Sequence, residues 1–250
     1  MKIENAKIRC INLERSHKRW IDIVTLFGDK VVRIDAVDGM QFASGEWDRM
    51  GKPCWAELPL DVTTRYFEMY PTTYGCNLSH IKSWEHFLNG DEEWGIFVED
   101  DTMPIKDILS VDIPDDCDFF YLIGPDHPGY RIGLFPDGQV RFARTLGAYL
   151  MSRKAAELAI RAMNTHYYQA DTQVPIRIFD SMKHHKIKVP NWADLPRVKA
   201  YGPTESIVGH SEHAELSTFT IDGKKNWIPD ELKSIKYTSH QRRHHDSNYK

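Results

Sequence analysis

The apolar positions near the start of the chain change period twice. Lys7 to Leu13 (KIRCINL) is short and β-branched, the pattern of a strand. Trp20, Ile23, Val24 and Phe27 then recur at helical spacing, behind Ser16 as a capping residue and ahead of the stop Gly28-Asp29. Val31 to Ile34 returns to strand and ends at Asp35 and the turn Asp38-Gly39. Strand, helix and strand in that space predict a βαβ unit with its two strands parallel.

Residues 40 to 70 lose this rhythm and read as an irregular excursion carrying Trp47, Trp55, Tyr66 and Phe67. Pro71 opens a helix with apolar positions Leu78, Ile81, Trp84 and Leu88, closed by Asn89-Gly90. Trp94 to Val98 (WGIFV) has no polar face and fits a strand buried on both sides. Phe119 to Ile123 is a second such strand, and residues 130 to 143 form a hairpin turning at Pro136-Asp137-Gly138. Ala148 to Met151 leads through Ser152 into a helix reaching Met163, and a further helix begins near Asp171. After Pro190 the pattern is irregular, and residues 239 to 250 are polar and His/Arg-rich, as in a disordered tail. The expected architecture is one α/β domain over residues 1–238, with a mixed sheet flanked by helices.

Composition removes several function classes. The 250 residues carry a net charge of -4, so no basic field gathers nucleic acid. No apolar run approaches the ~18 to 20 residues of a membrane helix, and no signal-peptide stretch opens the chain. A cytoplasmic protein is expected, with peripheral membrane contact left open. The four cysteines (Cys10, Cys54, Cys76 and Cys117) form no CxxC pair, and Cys10 and Cys76 read as small buried hydrophobes.

Charge appears abruptly where WGIFV ends, as Glu99-Asp100-Asp101. Open α/β sheets bind ligands beyond the carboxyl ends of their strands. Adjacent acids at that edge repel one another, and a hard divalent cation such as Mn²⁺ or Mg²⁺ would relieve the repulsion and hold a diphosphate. A solvated acidic turn is the plain alternative. A phospho-acceptor cluster fits poorly, because such domains are shorter and spread their acids over several strands.

Three blocks together resemble glycosyltransferase family 25, the group of lipooligosaccharide galactosyltransferases and collagen galactosyltransferase domains. The first is Ile11-Asn12-Leu13-Glu14-Arg15-Ser16-His17-Lys18-Arg19 with Ile34-Asp35-Ala36-Val37-Asp38-Gly39. The second is Gly75-Cys76-Asn77-Leu78-Ser79-His80, then Trp84, then Val98-Glu99-Asp100-Asp101. The third is Gly147-Ala148-Tyr149-Leu150-Met151-Ser152. The resemblance implies a GT-A type Rossmann-like fold and inverting transfer of a hexose, galactose or glucose, from a UDP-sugar donor to a glycan or protein acceptor.

By position it also implies site residues. Asp100 and Asp101 match the metal-binding acids, with Glu99 beside them, and His210 is a candidate third ligand. Asn12, Arg15, Arg19, Asp38, Ser79 and His80 are candidates for the donor, although Arg19 reads equally as a solvated helix residue and His80 as a structural histidine. Asp171 is the candidate general base, with a helix cap as its alternative and Asp126 and Asp180 in reserve. Trp47 and Trp55 could stack on an acceptor sugar or sit in the core. A binding module of the same fold without turnover is the second reading, and a metal-dependent phosphoesterase the third.

Overall fold

The computed structural model describes residue 3 and residues 6–39, 71–127, 131–164, 169–183, 194–210, 220–221 and 224–225. Trp47, Trp55, Cys54 and the tail 239–250 lie outside the described residues. The elements are β1 (Ile8–Asn12), α1 (His17–Phe27), β2 (Val31–Asp35), α2 (Pro71–Leu88), β3 (Trp94–Glu99), β4 (Thr102–Pro104), β5 (Phe119–Tyr121), β6 (Arg131–Leu134), β7 (Val140–Arg144), β8 (Ala148–Ser152), α3 (Arg153–Ala162), α4 (Ala170–Ile178), β9 (Ala200–Tyr201) and β10 (Val208–His210), with a short pair Thr220–Ile221 and Lys224–Lys225.

Six strands make the central sheet, in the order β2-β1-β3-β8-β5-β9. The expected βαβ unit is present, since β1 pairs parallel with β2 as well as with β3. β8 is antiparallel to both β3 and β5, while β9 runs parallel to β5. One reversed strand therefore sits inside an otherwise parallel sheet, and the architecture is the mixed α/β one expected. β6 and β7 form the hairpin, turning at Gly138, whose φ of 82° suits a residue without Cβ.

The core is continuous from Ile8 and Ile23 through β3 and β8 to Phe179. Tyr149 of β8 is stacked between Phe97 and Phe119, with ring centroids 5.2 and 5.0 Å apart. Ser152 ends β8 and caps α3, accepting from the Ala155 N–H at 3.2 Å.

Several expectations need correction. Of the stripe Leu78, Ile81, Trp84 and Leu88 expected on α2, Trp84 is fully buried and the other three are only half-buried. It buries Asn77, His80, Ser83, Trp84 and Phe87, a polar-and-aromatic face at the same helical spacing. The reason is hydrogen bonding: Asn77 Oδ1 accepts from the Ala170 N–H at 2.8 Å, capping α4 from a neighbouring helix. Ser16 occupies the N-cap of α1 but makes no side-chain capping bond. The strand expected over 119–123 stops at Tyr121, because the Leu122 carbonyl turns to accept from Ile207 and Val208. The segment after Pro190 is more regular than its pattern suggests, supplying the edge strand β9 and the β10 partner of β4.

Candidate active site

β1 and β3 end side by side, with Ile11 opposite Glu99. Their carboxyl ends, the loop after β2 and one face of α2 enclose a cleft of about 120 Å³. Arg15, Arg19, Asp38, Cys76, Ser79, His80 and the triplet Glu99-Asp100-Asp101 all contribute to its walls. Residues from separate sequence blocks thus meet at one sheet edge. The volume is below the ~300–1,000 Å³ of a typical ligand pocket, so these walls enclose only part of a ligand of ordinary size.

Asp100 is held from two sides. Arg19 donates to its Oδ1 at 2.8 Å, and Asn12 Nδ2 donates to its Oδ2 at 2.7 Å. Arg19 is 12% exposed, so it is not a solvated helix residue but part of the cleft. Burial raises the Asp100 pKa, and Arg19 and Asn12 oppose that rise. Asp101 is buried more deeply and is pushed up to about 7, first by burial and then by the Glu99 and Asp100 charges. Its Oδ1, like Asn12 Oδ1, is buried without a hydrogen-bond partner. Arg15 pairs with Asp38 at the cleft mouth.

The cleft therefore gathers four carboxylates (Asp38, Glu99, Asp100, Asp101) against two guanidiniums. With all four ionised, the excess of two negative charges equals the charge of one divalent ion. Asp101 Oδ1 and Asn12 Oδ1 are hard oxygen donors, buried and unpartnered, of the kind that suits Mn²⁺ or Mg²⁺.

Ser79 and His80 face the cleft, and both also hold the framework. Ser79 Oγ donates to the Gly75 carbonyl at 2.7 Å and accepts from the Val37 N–H at 2.8 Å, tying α2 to the loop after β2. Gly75 is required beside it, since a Cβ there would lie 2.7 Å from Gly39 N and Val37 O. His80 is buried, with Nδ1 3.1 Å from the Tyr149 hydroxyl and Nε2 3.6 Å from Glu99 Oε1. Trp84 Nε1 donates to the same hydroxyl at 2.8 Å.

Cys76 corrects its reading as a core thiol, because it lines the cleft one turn before His80. Burial raises its pKa well above the ordinary range, with the charges of Glu99 and Asp171 adding to the rise. Asp171 is not among the cleft walls, although its charge acts on Cys76 and on Tyr121. It is not the N-cap of α4 either. Gln169 holds that position and Asp171 lies in the first turn, where a carboxylate complements the helix dipole. Asp126 Oδ1 accepts from Ser206 N and Oγ, Asp180 pairs with Lys183, and neither acid is among the cleft walls. The His210 backbone pairs with Thr102, next to Asp101, while its side chain lies outside the described residues.

Sequence reasoning did not single out Tyr149 beyond its block. Its signal was available: a tyrosine in a strand with no polar face needs a partner for its hydroxyl. No helix among the described residues is long and apolar enough to cross a membrane.

No protein-family model and no curated protein matches the chain. Among solved structures, a mutant Drosophila β-1,4-galactosyltransferase 7 in complex with manganese, UDP-Gal and xylobiose is similar at 13% identity and a TM-score of 0.40, covering 91% of this chain and 79% of that one. Galactosyltransferase LgtC in complex with donor and acceptor sugar analogs is similar at 14% identity and a TM-score of 0.35, covering 91% and 99%. A glycosyltransferase involved in glycosylation of the major capsid of PBCV-1 is similar at 11% identity and 0.36, covering 82% and 93%. Similarity at this level transfers no residue role.

Proposed function

We propose that this chain is a divalent-metal-dependent glycosyltransferase of the GT-A type, moving galactose or glucose from a UDP-sugar to a hydroxyl of a glycan or protein. One observation carries the reading. Four acids, three of them at the end of a buried strand, meet two arginines in a single cleft, and one divalent ion would balance the two charges left over when all four are ionised. The first two of the three sequence blocks that resemble glycosyltransferase family 25 supply those residues, and the third supplies Tyr149 behind His80.

Asp101 and Asp100 would hold the ion, with Asn12 Oδ1 close by and His210 as a further ligand. When bound, the ion neutralises charge developing on the departing diphosphate. Arg15 and Arg19 are placed to contact phosphate oxygens, which guanidinium matches in bidentate fashion. Arg19 would then exchange part of its contact with Asp100 for the donor. Glu99, kept in orientation by His80, adds negative charge on the ion's side of the cleft, and Ser79 keeps the Asp38 loop against α2. Inverting transfer requires a base on the acceptor hydroxyl, and Asp171, which does not line the cleft but whose charge acts on Cys76, is the candidate for that role.

Incubation with Mn²⁺ and a panel of UDP-sugars, scored by UDP release with an acceptor mixture, tests the activity. Release that chelator abolishes supports it; no release with any donor counts against it. Asp171→Asn should leave donor binding intact and slow transfer about 10²-fold. Unchanged transfer would return Asp171 to a role in the first turn of α4.

A further inference from the structure

Among the described residues, a group able to ligate a metal also lines the cleft, and it is chemically unlike the acid pair. Cys76 and His80 lie one helical turn apart on the same face of α2, and Glu99 closes β3 opposite them. A sulfur, an imidazole nitrogen and a carboxylate oxygen from these three all lie within 4.8 Å of one another. Ligands on a tetrahedral ion at 2.0–2.3 Å stand roughly 3.3–3.8 Å apart, so small side-chain rotations close the shell.

The support behind the cluster is already built. His80 Nδ1 is engaged by the Tyr149 hydroxyl at 3.1 Å, which leaves Nε2 as the nitrogen facing Glu99. Tyr149 is fixed by Trp84 Nε1 at 2.8 Å and by stacking between Phe97 and Phe119. A metal-bound histidine donates its other ring N–H to such a partner, which sets the ring's orientation and strengthens its donor nitrogen.

We infer that Cys76, His80 and Glu99 form a binding site for Zn²⁺, distinct from the all-oxygen site at Asp100 and Asp101. Thiolate and imidazole select a borderline-soft ion over Mn²⁺ or Mg²⁺. Three protein ligands leave a fourth position open, on the side of the cleft that the same residues line. Binding releases the thiol proton to solvent as the sulfur–metal bond forms. The ion pins α2 to the end of β3, and the inference stands independently of sugar transfer.

Co²⁺ titration of the full-length protein tests it, because a cobalt–thiolate bond gives a near-ultraviolet charge-transfer band that carboxylate ligation does not. One equivalent of Co²⁺ should produce the band, and Zn²⁺ should abolish it. Asp101→Asn should keep the band, as should Cys10→Ser, Cys54→Ser and Cys117→Ser. Cys76→Ser should lose it while retaining the wild-type far-ultraviolet circular dichroism. Tyr149→Phe should keep the band and weaken Zn²⁺ affinity about tenfold. Absence of the band in the wild type, or its persistence in Cys76→Ser, overturns the assignment. If Cys76→Ser does not fold, Glu99→Gln decides: Zn²⁺ affinity unchanged within twofold also overturns it.

Discussion

At the amino ends of β1 and β3, Arg9 is 1% exposed, and its guanidinium binds both Glu92 carboxylate oxygens at 3.0 Å. His86 Nδ1 and the Lys7 carbonyl accept its remaining described bonds, and the Phe87 ring lies 5.0 Å away. At the carboxyl ends of the same two strands, Asp101 is buried with an unpartnered oxygen, and acids outnumber arginines. Both ends bury charge, but only one completes its pairing. A paired buried charge holds a fold in register, whereas an incompletely paired one is a place for something else to bind. The difference separates framework from site without reference to any relative.

The largest effect should come from breaking the complete end. Arg9→Ala strands Glu92 and should cost about 3–5 kcal/mol in urea unfolding, while UDP affinity at the other end changes little. Comparable losses of stability from Arg19→Ala would erase the distinction between the two ends.

Asp101 gives the next largest effect, and its sign is fixed by the direction of its shift. Its pKa rises from 3.8 to about 7 on folding, so the folded state favours the protonated acid. Stability of the metal-free protein is greatest below pH 4 with respect to this group and is lost as pH rises through 7. Asp101→Asn should therefore stabilise the metal-free protein at pH 8, by on the order of 2–4 kcal/mol, and by nothing near pH 4. Thermal melts at the two pH values check this.

Gly75→Ala sharpens the comparison at a point between the ends. Its Cβ would press on Val37 and Gly39 and push the Asp38 loop away from α2. A loss of about 1–3 kcal/mol is expected, together with weaker donor binding, unlike Arg9→Ala. The smallest effect is Ser152→Ala, which removes the α3 cap and should cost about 1 kcal/mol with the cleft untouched.

How much of this was legible in the sequence depends on how local the signal was. The β1-α1-β2 unit announced itself, because its change of period falls within a few dozen consecutive residues. Glu99-Asp100-Asp101 was equally plain, since the break from WGIFV to three acids is a single step along the chain. The reversed β8 was not legible: a strand's pattern reports its burial, not its neighbours or direction. The buried face of α2 was misread because Asn77, His80 and Ser83 look like surface residues until their partners, from distant segments, are seen. Arg9 was passed over for the same reason, its partner Glu92 being far along the chain. Cys76 looked apolar and turned out to face the cleft, a distinction that depends on which side of the helix meets β3.

Calorimetric titration of UDP into the protein, with and without Mn²⁺, bears most directly on the central claim. The account predicts that Mn²⁺ tightens UDP binding at least tenfold in the wild type and has no such effect in Asp101→Ala or Asp100→Ala. UDP binding that is indifferent to Mn²⁺, or enhancement by Mn²⁺ that survives both substitutions, would contradict it.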